Sequence, residues 1–146
     1  MTGAVRAFVV TAPGAGEVMD VPAPVAGPGD VVIDVERVGV CGTDVEFFDG
    51  TMQYLHNGHA HFPIQLGHEW MGHVAAVGEH VDPSWLGRRV TADTMLGCGE
   101  CRRCLGGYQH VCEFRTEIGI RGGQPGALAE KIADPARALH ALPDAI

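Results

Sequence analysis

The sequence predicts a mainly β domain that carries one short helix and a small thiol-rich lobe. Three observations support that prediction. Glycine (21) and proline (9) supply about a fifth of the 146 residues, against roughly 12% in an average chain, which is the composition of many short strands and turns. Residues 30–40 come close to strict alternation, with Val31, Ile33, Val35 and Val38 set among Asp34, Glu36 and Arg37. Four of the 5 cysteines crowd together, at positions 98, 101, 104 and 112.

Taken in order, residues 5–10 are a short apolar strand, and the Pro-Gly turn at 11–16 leads to a second strand at 17–21. A Pro-Gly cluster at 22–29 breaks the chain before the alternating strand, which delivers it to Cys41. Thr43 and Glu46 make a Thr-x-x-Glu capping box, which predicts a helix that starts at Asp44 and ends at Gly50. Residues 51–63 read as a loop whose His56, His59 and His61 are solvated side chains placed to line a cleft. Strands are expected at 74–77 and 87–92, and again at 127–133 and 138–142 after a turn-rich stretch at 119–126. No repeat of fixed period is present.

The thiol run reads Cys-Gly-Glu-Cys-Arg-Arg-Cys-Leu-Gly-Gly-Tyr-Gln-His-Val-Cys. Each Cys-x-x-Cys step lets two thiolates converge on one ion, and four soft anionic sulfurs at a tetrahedral centre suit Zn²⁺. Cys98, Cys101, Cys104 and Cys112 are therefore expected to bind one structural zinc, with Gly97, Gly99, Gly106 and Gly107 easing the tight wrap. Disulfides would need an oxidising compartment, and the apolar run near Met1 is too short for a secretory leader. A redox pair of the thioredoxin type uses one Cys-x-x-Cys, not this spacing. Four protein ligands leave no position for substrate, so the chemistry must lie elsewhere.

A chain of 146 residues is the size of one domain and can bury a core without staples. Lys+Arg of 10 against Asp+Glu of 18 gives a net charge of -8, the wrong sign for a nucleic-acid or acidic-membrane binder. No apolar run approaches a membrane span. A cytoplasmic protein with a small-molecule partner is the expectation.

A second constellation consists of Cys41, His68 and Glu69: a thiolate, an imidazole and a carboxylate, ligand types that suit an open zinc site. Cys41 precedes a helix N-terminus, which lowers a thiol's pKa. On Cys41-Gly42-Thr43-Asp44 alone it also reads as a small buried side chain beside an ordinary cap.

Taken together, the motifs resemble those of the zinc-dependent medium-chain dehydrogenase/reductases, which include alcohol, sorbitol and threonine dehydrogenases. Cys41-Gly42-Thr43-Asp44 looks like the family's Cys-Gly-x-Asp motif. Gly67-His68-Glu69-Trp70-Met71-Gly72, continuing to Gly78 and Val81, follows its zinc signature, and the thiol run has the spacing of its structural-zinc lobe. The resemblance spans essentially the whole chain. It implies a GroES-like β-barrel catalytic domain over residues 1–146, with Cys41 and His68 as catalytic-zinc ligands and Glu69 as a carboxylate that binds the zinc or stands beside it. It further implies that Asp44 orients His68 and that Thr43 opens a proton relay. The activity implied is zinc-assisted hydride transfer between an alcohol or polyol and NAD or NADP, in a full-length homodimer or homotetramer.

Two departures qualify the resemblance. Many members carry a relay histidine where this sequence has Glu46, and Trp70 is a bulky residue whose expected role is core packing. Neither Gly14-Ala15-Gly16 nor Gly97-Cys98-Gly99 meets the Gly-x-Gly-x-x-Gly pattern of a dinucleotide fold. The chain therefore reads as the N-terminal catalytic portion of a longer enzyme, without its Rossmann cofactor domain and inactive alone. The alternative is a non-enzymatic GroES-like zinc-binding module used for interaction. Zinc-free quinone-reductase-like relatives lack these ligands.

Overall fold

A computed structural model describes residues 3–146. Strands β1 (Ala4–Ala12) and β2 (Ala15–Pro22) form the opening hairpin, and β3 (Asp30–Gly39) leads into helix α1 (Gly42–Asp49). A one-turn helix α2 (Gln53–His56) and the short β4 (Ile64–Gln65) precede β5 (Glu69–Val77). Then come β6 (Arg89–Ala92), β7 (Met95–Leu96), the one-turn α3 (Arg102–Leu105), β8 (Thr116–Glu117), β9 (Lys131–Pro135) and β10 (Leu139–Ala141).

The strands form a five-stranded sheet in the order β10-β6-β5-β3-β9, a three-stranded sheet β2-β1-β4 and the β7-β8 ribbon. Hydrogen bonds from Phe8 N–H to Leu128 O (2.7 Å) and from Glu130 N–H to Arg6 O (3.0 Å) stitch β1 to the segment that runs into β9. The two larger sheets thus share a continuous wall, the GroES-like barrel. Every ladder pairing among the described residues is antiparallel.

Alternation decides which side chains face inward. Val31 and Ile33 of β3 pack with Trp70, Val74, Val90, Ile132 and Leu139 in the main core. A second cluster, Val10, Phe47, Ala60, Leu66 and Ile120, fills the space between the hairpin, α1 and the loop that follows it. Trp70 is buried core, as its packing role required.

Some boundaries moved. Helix α1 begins at Gly42, two residues before the expected start, because Asp44 rather than Glu46 reaches back to the helix cap: Cys41 N–H donates to Asp44 Oδ2 at 3.0 Å. Glu46 is exposed. The helix ends at Gly50 as expected, with a left-handed cap (φ 78°). Strand β5 begins at Glu69 instead of residue 74, since Trp70 and Gly72 already pair with β3. The 51–63 loop contains α2, and the 127–133 strand is shifted to β9.

Candidate metal centres

The thiol lobe wraps four sulfurs around one point. Cys98 follows β7, Cys101 caps α3, Cys104 lies within it, and Cys112 follows a 3₁₀ turn at Gln109–Val111. Backbone N–H groups of Cys98, Cys101 and Cys104 point at Cys112, Cys98 and Cys101 Sγ at 3.4 to 3.5 Å. Their four Sγ atoms lie within 4.8 Å of one another. Two of the separations are 3.9 Å (Cys98 to Cys104) and 3.7 Å (Cys101 to Cys112). A tetrahedron with metal–sulfur bonds of about 2.3 Å has edges of about 3.8 Å. The spacing fits a tetrahedral zinc site and is far too long for disulfides; all five cysteines are free thiols.

The lobe is built close to its sulfurs. A Cβ at Gly97 would sit 2.6 Å from Cys104 Sγ, so no side chain fits there. The Arg137 guanidinium donates to Gly97 O at 2.7 Å and ties the lobe to the segment before β10. Thiol acidities diverge inside the cluster. The Cys98 N–H holds Cys112 down to about 6, while at Cys104 the favourable Gly99 N–H is outweighed by desolvation and the neighbouring thiols, which push it up to about 11. Four packed thiols cannot all ionise without a cation to offset the charge, and a divalent soft-ligand metal offsets it.

The second site forms where β3 ends and β5 begins. Cys41 is the N-cap of α1, Asp44 is that helix's third residue, and His68 immediately precedes β5. Cys41 Sγ lies 3.0 Å from His68 Nε2, and His68 Nδ1 lies 3.4 Å from Asp44 Oδ1. The latter is an ion-pair separation rather than a formed hydrogen bond, and both atoms are buried with no other partner. Gly67 positions the histidine: its φ of +103° is left-handed, and a Cβ there would collide with the Leu128 backbone. Thr94 Oγ1 donates to His68 O at 3.1 Å and holds the backbone from the other side.

Electrostatics favour charged forms here. Burial opposes ionisation of Cys41, but the Thr43 and Asp44 N–H groups, the Thr43 hydroxyl and His68 outweigh it and lower its pKa. Burial likewise opposes the Asp44 carboxylate, and His68 with the Cys41 N–H overcomes it. Asp44 in turn raises the His68 pKa against desolvation. A thiolate, an imidazole braced at its far nitrogen and a buried carboxylate fit a metal ion, with Cys41 Sγ and His68 Nε2 as the converging donors.

Of the residues expected at this site, Cys41, Thr43, Asp44 and His68 come together. Glu69 does not join them. It is exposed and, as the first residue of β5, lies over Gly39, its cross-strand partner. Asp44 completes the group from the far side of the imidazole. Histidines 56, 59 and 61 belong to neither donor group among the described residues. Sequence reasoning also missed a buried polar cluster beside the lobe: Arg115 Nε donates to Glu117 Oε1 at 2.7 Å, and Tyr54 OH donates to the same oxygen at 3.4 Å. Tyr54 is 61 to 63 positions from the other two members, so no periodicity could have revealed the cluster.

An antiparallel barrel carrying a four-thiol lobe and a separate Cys/His/Asp cluster defines a GroES-like metal-binding domain of the medium-chain dehydrogenase type. Residues 27–144 match the alcohol dehydrogenase GroES-like domain. The chain belongs to that family, the N-terminal domain of zinc-dependent medium-chain alcohol dehydrogenases. It is similar to the L-threonine 3-dehydrogenase of Streptomyces avermitilis, 43% identical over 120 residues that are 81% of this chain and 33% of the relative. The structure of acetophenone reductase from Geotrichum candidum in complex with NAD superposes with a TM-score of 0.86 at 30% identity, covering 100% of this chain and 42% of that one. A cobalt- and zinc-bound thermostable alcohol dehydrogenase from Pyrobaculum aerophilum gives a TM-score of 0.82 at 30% identity, over 95% and 41% of the two chains. The chain thus spans about a third to two fifths of the length of the relatives it matches. Dehydrogenase relatives do not favour the interaction-module alternative.

Proposed function

We propose that residues 1–146 are the metal-binding catalytic portion of an NAD(P)-dependent zinc dehydrogenase acting on a small alcohol, polyol or carbonyl compound. The observation that carries the reading is the convergence of Cys41 Sγ and His68 Nε2, with Asp44 behind the imidazole. Cys98, Cys101, Cys104 and Cys112 hold a structural zinc, and Cys41 and His68 hold the catalytic one. Zinc bound at Cys41 and His68 would act as a Lewis acid, polarising a hydroxyl or carbonyl oxygen and easing loss of the hydroxyl proton.

The chain's own residues do the rest. The Asp44 carboxylate faces His68 Nδ1 at 3.4 Å, which favours a proton on that nitrogen, leaves Nε2 free as a donor atom and orients the ring. Thr43 sits in the first turn of α1 with its hydroxyl toward Cys41, placed to take the substrate's proton and pass it on. Glu46, one turn further on and exposed, stands where many relatives carry a relay histidine. Glu69, next to His68 in sequence, stays outside the Cys41 and His68 pair. The cofactor, NAD or NADP, binds to a part of the enzyme beyond these residues, and the intact protein is a cytoplasmic dimer or tetramer.

Metal content tests the reading. Purified without chelator, the chain is expected to hold two zinc ions, and Cys41→Ser should lower this to one while leaving the lobe's zinc. Cobalt substitution should show a second thiolate-to-metal absorption that the variant lacks. A stoichiometry unchanged by Cys41→Ser would sink the assignment.

A further inference from the structure

A cavity of about 700 Å³ opens between the β1–β2 hairpin, the segment at 58–65 and the turn at 120–125. None of its lining residues belongs to either donor cluster. Its volume falls within the roughly 300–1,000 Å³ of small-molecule sites. Most of the lining is apolar, with Val9, Met19, Val21, Phe62, Ile64 and Ile120 contributing side chains.

The ionisable side chains that line it are His59, His61 and Arg121, and no Asp or Glu is among them. In a chain with 18 acidic residues and 10 Lys+Arg, a lining that holds an arginine and no carboxylate is unexpected from composition. Among the described residues, no carboxylate lies within ion-pair distance of these three. The Arg121 charge therefore has no carboxylate partner among the described residues.

Two of the three are held in place by one aromatic ring. The Arg121 guanidinium lies 5.6 Å from the Tyr54 ring centre, and the His59 ring meets Tyr54 edge-on at 5.5 Å. Tyr54 is fixed in turn by its bond to the buried Glu117. Backbone bonds pin the walls together: Gly122 N–H donates to His59 O, and Ala60 N–H to Tyr54 O, both at 3.0 Å. The Arg121 and His59 side chains are positioned before any ligand arrives.

The geometry points to a binding site for a small amphipathic carboxylate. Its apolar body occupies the space beside Val9, Ile64 and Ile120, and its carboxylate meets the Arg121 fork with the His59 ring as a further donor. An always-charged guanidinium against a mainly apolar lining suits one anionic head on a hydrocarbon tail better than a multiply charged phosphate. This inference does not depend on the metal reading.

The test is calorimetric titration of the zinc-loaded chain with octanoate and with octylammonium, which share a tail and differ in head charge, alongside methyl shifts of Ile64 and Ile120 by NMR. Octanoate should bind saturably and shift both methyls, and octylammonium should bind at least about tenfold more weakly. Arg121→Gln should weaken octanoate by about tenfold or more, Arg121→Lys should retain most of it, and Cys41→Ser should leave it unchanged. Equal affinity for the two heads, unmoved methyls, an Arg121→Gln chain that binds as before, or loss of binding in Cys41→Ser would each overturn the proposal. Should Arg121→Gln fail to fold, the head-group comparison on the unaltered chain still decides.

Discussion

Asp134 and Asp44 are both buried carboxylates, and their surroundings push them in opposite directions. Asp44 has the His68 ring and the Cys41 N–H to favour its charge, so its pKa falls despite burial. Asp134 lies on β9 opposite Val31, 1% exposed, with no hydrogen-bond partner for either oxygen. Burial, joined by Asp30 and Asp93 and opposed by Arg137, pushes its pKa up to about 8. Between the unfolded value near 3.8 and about 8, the unfolded chain releases this proton while the folded chain keeps it. Folding then binds a proton, so Asp134's contribution to stability falls as pH rises through that window and levels off above it. We expect Asp134→Asn to flatten the dependence and Asp134→Val, which suits the strand and the core, to stabilise the fold at pH 8 by about 1–3 kcal/mol. Thermal melts at pH 5 and pH 8 would check this, and parallel slopes for wild type and Asp134→Asn would refute it.

At the level of elements, α1 couples packing to chemistry. Its eight residues are too few to be stable alone. Phe47 is fully buried against Val10 and Leu66 and anchors the helix to the barrel. The same helix sets Cys41 at its N-cap and Asp44 beneath His68. Phe47→Ala should therefore cost about 3–5 kcal/mol and weaken metal binding at Cys41 and His68 before the four-thiol lobe is affected. Denaturant melts combined with zinc counting would show the two losses separately, and simultaneous loss of both metals would argue against an independent lobe. The lobe's own short elements depend on their sulfurs, since α3 and the β7-β8 ribbon are too small to persist without a cross-link or an ion.

For the whole molecule, the proposal that these residues are one part of a larger enzyme has a direct consequence. Dinucleotide sites of the Rossmann type need parallel βαβ units, and the described ladders are antiparallel. Mixed with NAD⁺ and simple alcohols or polyols, the chain should produce no detectable NADH; sustained turnover would refute the division of labour. The relatives' extra length, more than half of each, is where that proposal puts cofactor binding.

The sequence by itself determined the fold class and the four-thiol lobe, because each is written in local spacing: alternation in β3 and Cys-x-x-Cys steps. The association of Cys41 with His68, 27 positions apart, was readable only through the resemblance of their motifs to the family's. The helix at Gly42–Asp49 was legible to within two residues, its true cap being a contact between a backbone N–H and a carboxylate that Thr-x-x-Glu imitated. Tertiary structure alone decided where Glu69 lies, over Gly39 and outside the group formed by Cys41, Asp44 and His68. It also decided that Arg121, His59 and Tyr54 meet at a cavity and that Asp134 lies unpaired in the core. Such contacts join residues far apart in the chain, and local periodicity carries no record of them.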